Sequence, residues 1–206
     1  MTISRNISVL AQGASSSGIL AGGYGGLGAS ISPTAAGNTV FSTDGSNWSS
    51  TQKIVSGTAV TLTTQTAIDY TNIPSWVKRI MIMFRGASLS GTASFLVQIG
   101  SGSFTTSGYI STSNGTNQSN ATGGISSTTG FCLRAERAAG VTSGHMILTL
   151  LGSNAWVESH TTKNFSTEAQ WGGGDVALGG VLDRVRITTT NGTDTFDAGS
   201  INILYE

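Results

Sequence analysis

Charge is what this chain has least of. Lys and Arg number 10 and Asp and Glu 10 in 206 residues, so only 10% of the sequence is charged and the formal net charge is zero. An average soluble protein carries about 25%. A neutral chain this poor in Lys and Arg has no electrostatic hold on a phosphate backbone, which argues against a nucleic-acid partner. Weak repulsion between copies also suits a protein that associates with others.

There is one cysteine, Cys132. It cannot close an internal disulfide, and its place in the apolar run "GFCLRAE" makes it a small core residue rather than a catalytic thiol. No run approaches the ~20 apolar residues that cross a bilayer, so no membrane insertion is expected. The opening "MTISRNISVLAQG" has neither the basic start nor the apolar stretch of a secretory signal, and synthesis in a cytoplasm is expected. Helical periodicity is missing as well: no segment keeps a 3.6-residue apolar repeat for ten residues behind a cap.

Gly, Ser and Thr fill the space instead. Residues 1–55 include "ASSSGILAGGYGGLGASISPTAAGN", small residues with no sustained period. Such a stretch buries little apolar area and loses much backbone entropy on ordering, so it cannot build a core of its own. Its scattered apolar residues Ile3, Ile7, Leu10, Ile19, Leu20, Tyr24 and Leu27 point to an arm that orders against another protein. The Gly23, Gly25, Gly28 pattern inside it matches a dinucleotide fingerprint by spacing alone. A strand before it and a helix after it are both lacking, and Pro33 breaks the segment "ASISPTAAGN", so no nucleotide site or other cofactor is expected. "FSTDGSNWSS" then reads as a hairpin turning at Asp44-Gly45.

From residue 56 to 206 the sequence is a series of short strands. "WVKRIMIMFRGA" puts Ile80, Ile82 and Phe84 on one face and Met81 and Met83 on the other, which predicts a central strand covered on both sides. "ASFLVQIGSG", "GFCLRAE", "HMILTLLG", "AWVESHTT", "LDRVRITTT" and "GSINILYE" continue the pattern. Ser-Gly at 90–91, Asn-Gly at 114–115, Ser-Gly at 143–144 and Asn-Gly at 191–192 are the expected turns. The fold class is all-β: an antiparallel, jelly-roll-like β-sandwich behind an extended glycine- and serine-rich arm.

Catalytic chemistry is hard to find. His145 and His160 begin and end different strands, without a ligand-type residue at i+2 or i+4, and serve a metal only if folding gathers them with a carboxylate. Glu158 and Glu168 have no spacing that marks a glycosidase pair. Asp194 and Asp197 read as a turn rather than a calcium loop. The elbow G-x-S-x-G is absent, and no enzyme activity is expected. Aromatics beside amides are the better lead. Trp156 and Trp171 flank a polar segment, and Tyr109 precedes "STSNGTNQSNATGG" with Asn114 and Asn117. Together with His160 they make a candidate carbohydrate-contact surface, on loops around 111–123 and 153–173. Burial at the ends of the sandwich is the alternative for the aromatics.

"YTNIPSWVKRIMIMFRGASLSGTASFLVQIGSGSFTTSGY" and "LDRVRITTTNGTDTFDAGSINILYE" resemble the core and C-terminal signature of a domain found in bacteriophage virion proteins, chiefly short tail fibres. The resemblance spans about residues 57–206 and is weakest from about 111 to 175. It implies a homotrimer carried on the virion, assembled in the host cytoplasm, with residues 1–55 docked on baseplate, tail or capsid proteins. The 56–206 domain would then meet a host surface glycan. A capsid decoration or cement protein, or a tail protein that binds no receptor, is the alternative. A depolymerase is disfavoured because the repeat of a β-helix is missing.

Overall fold

The computed structural model describes residues 38–42, 48–52, 54–117, 119, 121–135, 137–138 and 140–206. Ile3, Ile7, Leu10, Ile19, Leu20, Tyr24, Leu27 and the Asp44-Gly45 turn lie outside the described residues. The chain divides into two units, Met1–Ile54 and Val55–Glu206. In the first, β1 (Asn38–Ser42) and β2 (Trp48–Gln52) pair antiparallel, with Ser42 opposite Trp48.

In the second unit every regular element among the described residues is a strand, and every pairing is antiparallel. The larger sheet has nine strands. Its order is β10 (Thr122–Ser127), β9 (Ile110–Thr116), β14 (Glu168–Ala177), β13 (Ala155–Asn164), β12 (Thr142–Gly152), β6 (Arg79–Leu89), β16 (Phe196–Tyr205) and β3 (Val55–Ser56), with β4 (Val60–Thr61) also on β16. The smaller sheet has five strands: β11 (Phe131–Leu133), β7 (Phe95–Ser101), β15 (Arg184–Thr189) and β5 (Ile68–Thr71), with β8 (Ser103–Phe104) on β7.

Alternation builds the core. Ile80, Ile82 and Phe84 of β6 and Ile201 and Ile203 of β16 are buried in one cluster with Phe95, Val97 and Ile99 of β7 and Val185 and Ile187 of β15. Phe95 links the two sheets, edge-on to Phe84 at 5.5 Å and stacked on Phe196 at 6.0 Å. Burying each such side chain stabilises by about 1.5–3 kcal/mol. β6 does lie inside its sheet, between β12 and β16. Its second face is only half-covered, because Met81 and Met83 keep partial exposure.

Two turns and two loops differ from the expectation. Ser-Gly 90–91 and Asn-Gly 191–192 fall between strands, but Asn114-Gly115 lies inside β9 and Ser143-Gly144 inside β12. Gly144, at φ +142°, forms a β-bulge where the register of β12 on β6 shifts. Segments 111–123 and 153–173 are the paired strands β9–β10 and β13–β14 rather than loops. Only "AWVESHTT" in β13 reads as a strand from sequence; the others carry no signal because the inward positions of this region are polar: Ser111 and Ser113 on β9, Glu158, His160, Thr162 and Asn164 on β13, and Glu168 and Gln170 on β14 are all buried. A strand polar on both faces carries no apolar alternation to read.

Candidate contact face and the polar clasp behind it

Strand register assembles a continuous row on the outer face of the larger sheet. Trp171 stands opposite Asn114 on one side and Thr161 on the other. Asn114 faces Gly124, Thr161 faces His145, and His145 faces Met83. At about 4.8 Å between strands the five steps from Gly124 to Met83 span about 24 Å. Trp171 is 46% exposed, and Asn114, Thr161 and His145 are exposed around it. The row contains no carboxylate and no Lys or Arg. Gly124 leaves room beside it: a Cβ there would meet Asn114 Oδ1 at 2.2 Å, so an added methyl group would make that amide move.

The inner face behind this row is a hydrogen-bonded clasp. Leaving β11, the backbone N–H groups of Cys132 and Arg134 donate to Ser111 Oγ and Ser113 Oγ, each at 3.0 Å. Two serines of the larger sheet thus cap the free edge of the smaller one, where an unpaired strand edge would otherwise be left. Ser113 Oγ is also 2.9 Å from His160 Nε2, and His160 Nδ1 is 2.7 Å from Glu158 Oε1. The Arg134 N–H donates to the Ser113 oxygen, which keeps a proton and a second lone pair for His160 Nε2, and Nδ1 lies against the Glu158 carboxyl. Burial pushes the Glu158 carboxyl above its ordinary range, outweighing the hydrogen bond from His160 that pulls it down.

Gly172 makes room for this ring. A Cβ at 172 would lie 2.2 Å from both His160 Cε1 and the Thr112 carbonyl oxygen. The clasp therefore grips β14 at the residue next to Trp171. On the other side of Trp171, Gln170 is fully buried, its Oε1 accepting from Thr162 Oγ1 at 3.3 Å.

Serine, histidine and glutamate in this order have the geometry of a nucleophile, its base and the group that orients the base. Ser113, however, has no exposed surface and its oxygen already accepts a backbone N–H. Here the arrangement braces two sheets. A sequence signal for it existed: Glu158 and His160 are two apart on a strand, so they share a face. Ser113, supplied by a strand 47 residues away, had none.

Three of the expected surface contacts are corrected by burial. Tyr109 is in the core, edge-on to Phe131 at 5.0 Å, with its hydroxyl against Ile99 N at 2.9 Å and its pKa pushed up to about 12 by burial. Trp156 belongs to the same core cluster. His160 is the centre of the clasp. Asn117 is half-buried and its Oδ1 accepts from Ser119 N and Ala121 N, shaping the β9–β10 turn. Asn114 and Trp171 are the two that reach solvent together.

Other groupings come apart. His145 and His160 lie mid-strand, not at strand ends, and on opposite faces of the sheet, so they do not converge on a metal. Glu158 pairs with Gly174 while Glu168 pairs with Asn164, six residues further along β13, or about 20 Å. Asp194 accepts from Ala93 N and Asn191 Nδ2 and ties down its turn. Cys132 is fully buried, with its thiol pushed up by burial. No protein-family model, no curated protein and no solved structure matches the chain.

Proposed function

We propose that this chain is a bacteriophage virion structural protein of the tail-fibre kind. In this reading its two sheets form a jelly-roll-like sandwich, three copies associate, and residues 1–55 dock the trimer on other virion proteins. The outer face of the larger sheet meets a host surface glycan. One observation carries the contact: Trp171, 46% exposed, paired with Asn114 in an uncharged row. A sugar ring has an apolar C–H face and a polar rim. The indole offers a flat apolar surface to the first, and the Asn114 amide offers both donor and acceptor to the second. The clasp fixes β9 and β14 from behind, which lowers the ordering cost of binding.

Met81, Ile147 and Leu204 lie side by side on the same outer face, half-buried, with Met83 near them. This apolar patch is the proposed contact between copies. Three weak glycan contacts on one trimer become useful avidity, since the second and third are intramolecular. The same patch favours a second reading, a capsid decoration or cement protein held by virion contacts alone. Labelled full-length protein on intact host cells separates them. Saturable binding supports the tail fibre, and none, on a host the phage infects, supports the decoration protein.

A further inference from the structure

The outer face of the smaller sheet carries a depression of about 430 Å³, within the roughly 300–1,000 Å³ range of small-molecule sites. Leu96 and Gln98 of β7 form its floor, and Arg186 and Thr188 of β15 its near wall. Register explains the grouping: Gln98 is opposite Arg186, Arg186 opposite Asp69, and Leu96 opposite Thr188.

Its polar groups are pinned. Gln98 is 8% exposed and its Nε2 donates to the Thr129 carbonyl at 2.9 Å. That fixes the amide and leaves Oε1 as an acceptor with no partner among the described residues, yet not enclosed. Arg186 gives Nε and Nη2 to the Asp69 carboxylate, both at 2.7 Å, and lies over the Phe104 ring at 4.2 Å. Two of its five N–H donors are used, and three remain. Thr188 Oγ1 donates to the Thr66 carbonyl at 2.8 Å and keeps its lone pairs. Thr190 Oγ1 accepts from Ser94 N at 3.1 Å and keeps its proton.

Fixed acceptors thus lie beside fixed donors around a small apolar patch made by Leu96 and Ala67, and Asp69 cancels the Arg186 charge. An anion gains no net attraction here, whereas adjacent hydroxyls on a ring with an apolar face match both features. We propose that this depression is a binding site for one neutral saccharide unit. The inference stands apart from the contact proposed at Trp171, which is on the other sheet.

The test monitors the Gln98 side-chain amide and the Arg186 Nε–H by ¹H–¹⁵N NMR in full-length protein. Glucose, galactose, mannose and N-acetylglucosamine are titrated to high millimolar concentration, with inorganic phosphate alongside. Saturable shifts at both groups with at least one sugar are expected. Gln98→Leu should then weaken that sugar about tenfold, a loss of about 1.4 kcal/mol. The wild-type shifts need no variant to fold. Silence with every sugar overturns the site, and so does a response to phosphate alone. Shifts at Trp171 without shifts at Gln98 overturn it too, while leaving the Trp171 contact standing.

Discussion

Replacing Ser113 with Ala is the sharpest probe of the clasp. The hydroxyl accepts the Arg134 N–H at 3.0 Å and meets His160 Nε2 at 2.9 Å, in a site without solvent. Removing it takes the partner from the buried His160 Nε2 and from the part-buried Arg134 N–H. The buried orphan alone costs about 1–3 kcal/mol, so the variant should lose at least that much. Domains of this kind are stable by only about 5–15 kcal/mol, so the loss is a large part of the total. Equilibrium urea unfolding reads it directly, with Ser159→Ala as the control. Ser159 is exposed on the opposite face of β13, and its loss should change stability by less than about 0.5 kcal/mol. A cycle with Glu158→Gln should give a coupling above about 0.5 kcal/mol, because both residues act through His160. If Ser113→Ala unfolds at the same urea concentration as Ser159→Ala, the clasp does not hold the sheets and the reasoning fails.

Glu158 also sets a pH dependence. Its folded pKa is raised above the ordinary value of 4.5, so its contribution to stability is fully present below about pH 4.5 and is lost as pH rises through the folded value. Each unit of elevation is worth about 1.4 kcal/mol. Glu158→Gln keeps an acceptor for His160 without the buried charge, so wild type should lose stability relative to the variant as pH rises above about 4.5. Urea midpoints that keep a constant difference would contradict this. Gly172→Ala should cost about 1–3 kcal/mol or more, since the Thr112 carbonyl cannot retreat from the new methyl group, whereas Gly173→Ala, whose Cβ approaches only Glu158 O at 3.2 Å, should cost less. Both are read as shifts in melting temperature. Cys132 should stay unmodified by a thiol-reactive dye in native protein and react once denaturant is added, and labelling under native conditions would show that its strand opens.

The apolar half of this fold was legible and the polar half was not. "RIMIMF" and "FLVQIG" alternate visibly, and both are core strands. Around Ser113 and Gln170 the buried positions look like surface, so those strands read as loops and a turn was expected at Asn114-Gly115 inside β9, while "AWVESHTT" read as a strand without showing that Glu158 and His160 face inward. Tyr109 and Trp156 could not be told from exposed aromatics, because an aromatic beside polar residues fits a rim and a core equally well. The partner opposite decided their burial, Phe131 in the case of Tyr109, and no local spacing encodes it. Asn114 and Trp171 were legible as residues but not as a pair. Only the register of β9 on β14 brings them side by side.

Recognition through that pair is tested most directly by binding. Trp171→Ala and wild type, both labelled and both checked for the same β-rich circular dichroism and the same mass in solution, are titrated onto intact host cells. The expected result is an unchanged fold and a loss of binding of at least about tenfold, or 1.4 kcal/mol, multiplied further by avidity. Equal binding by the two proteins would contradict it and remove the outer face of the larger sheet from recognition.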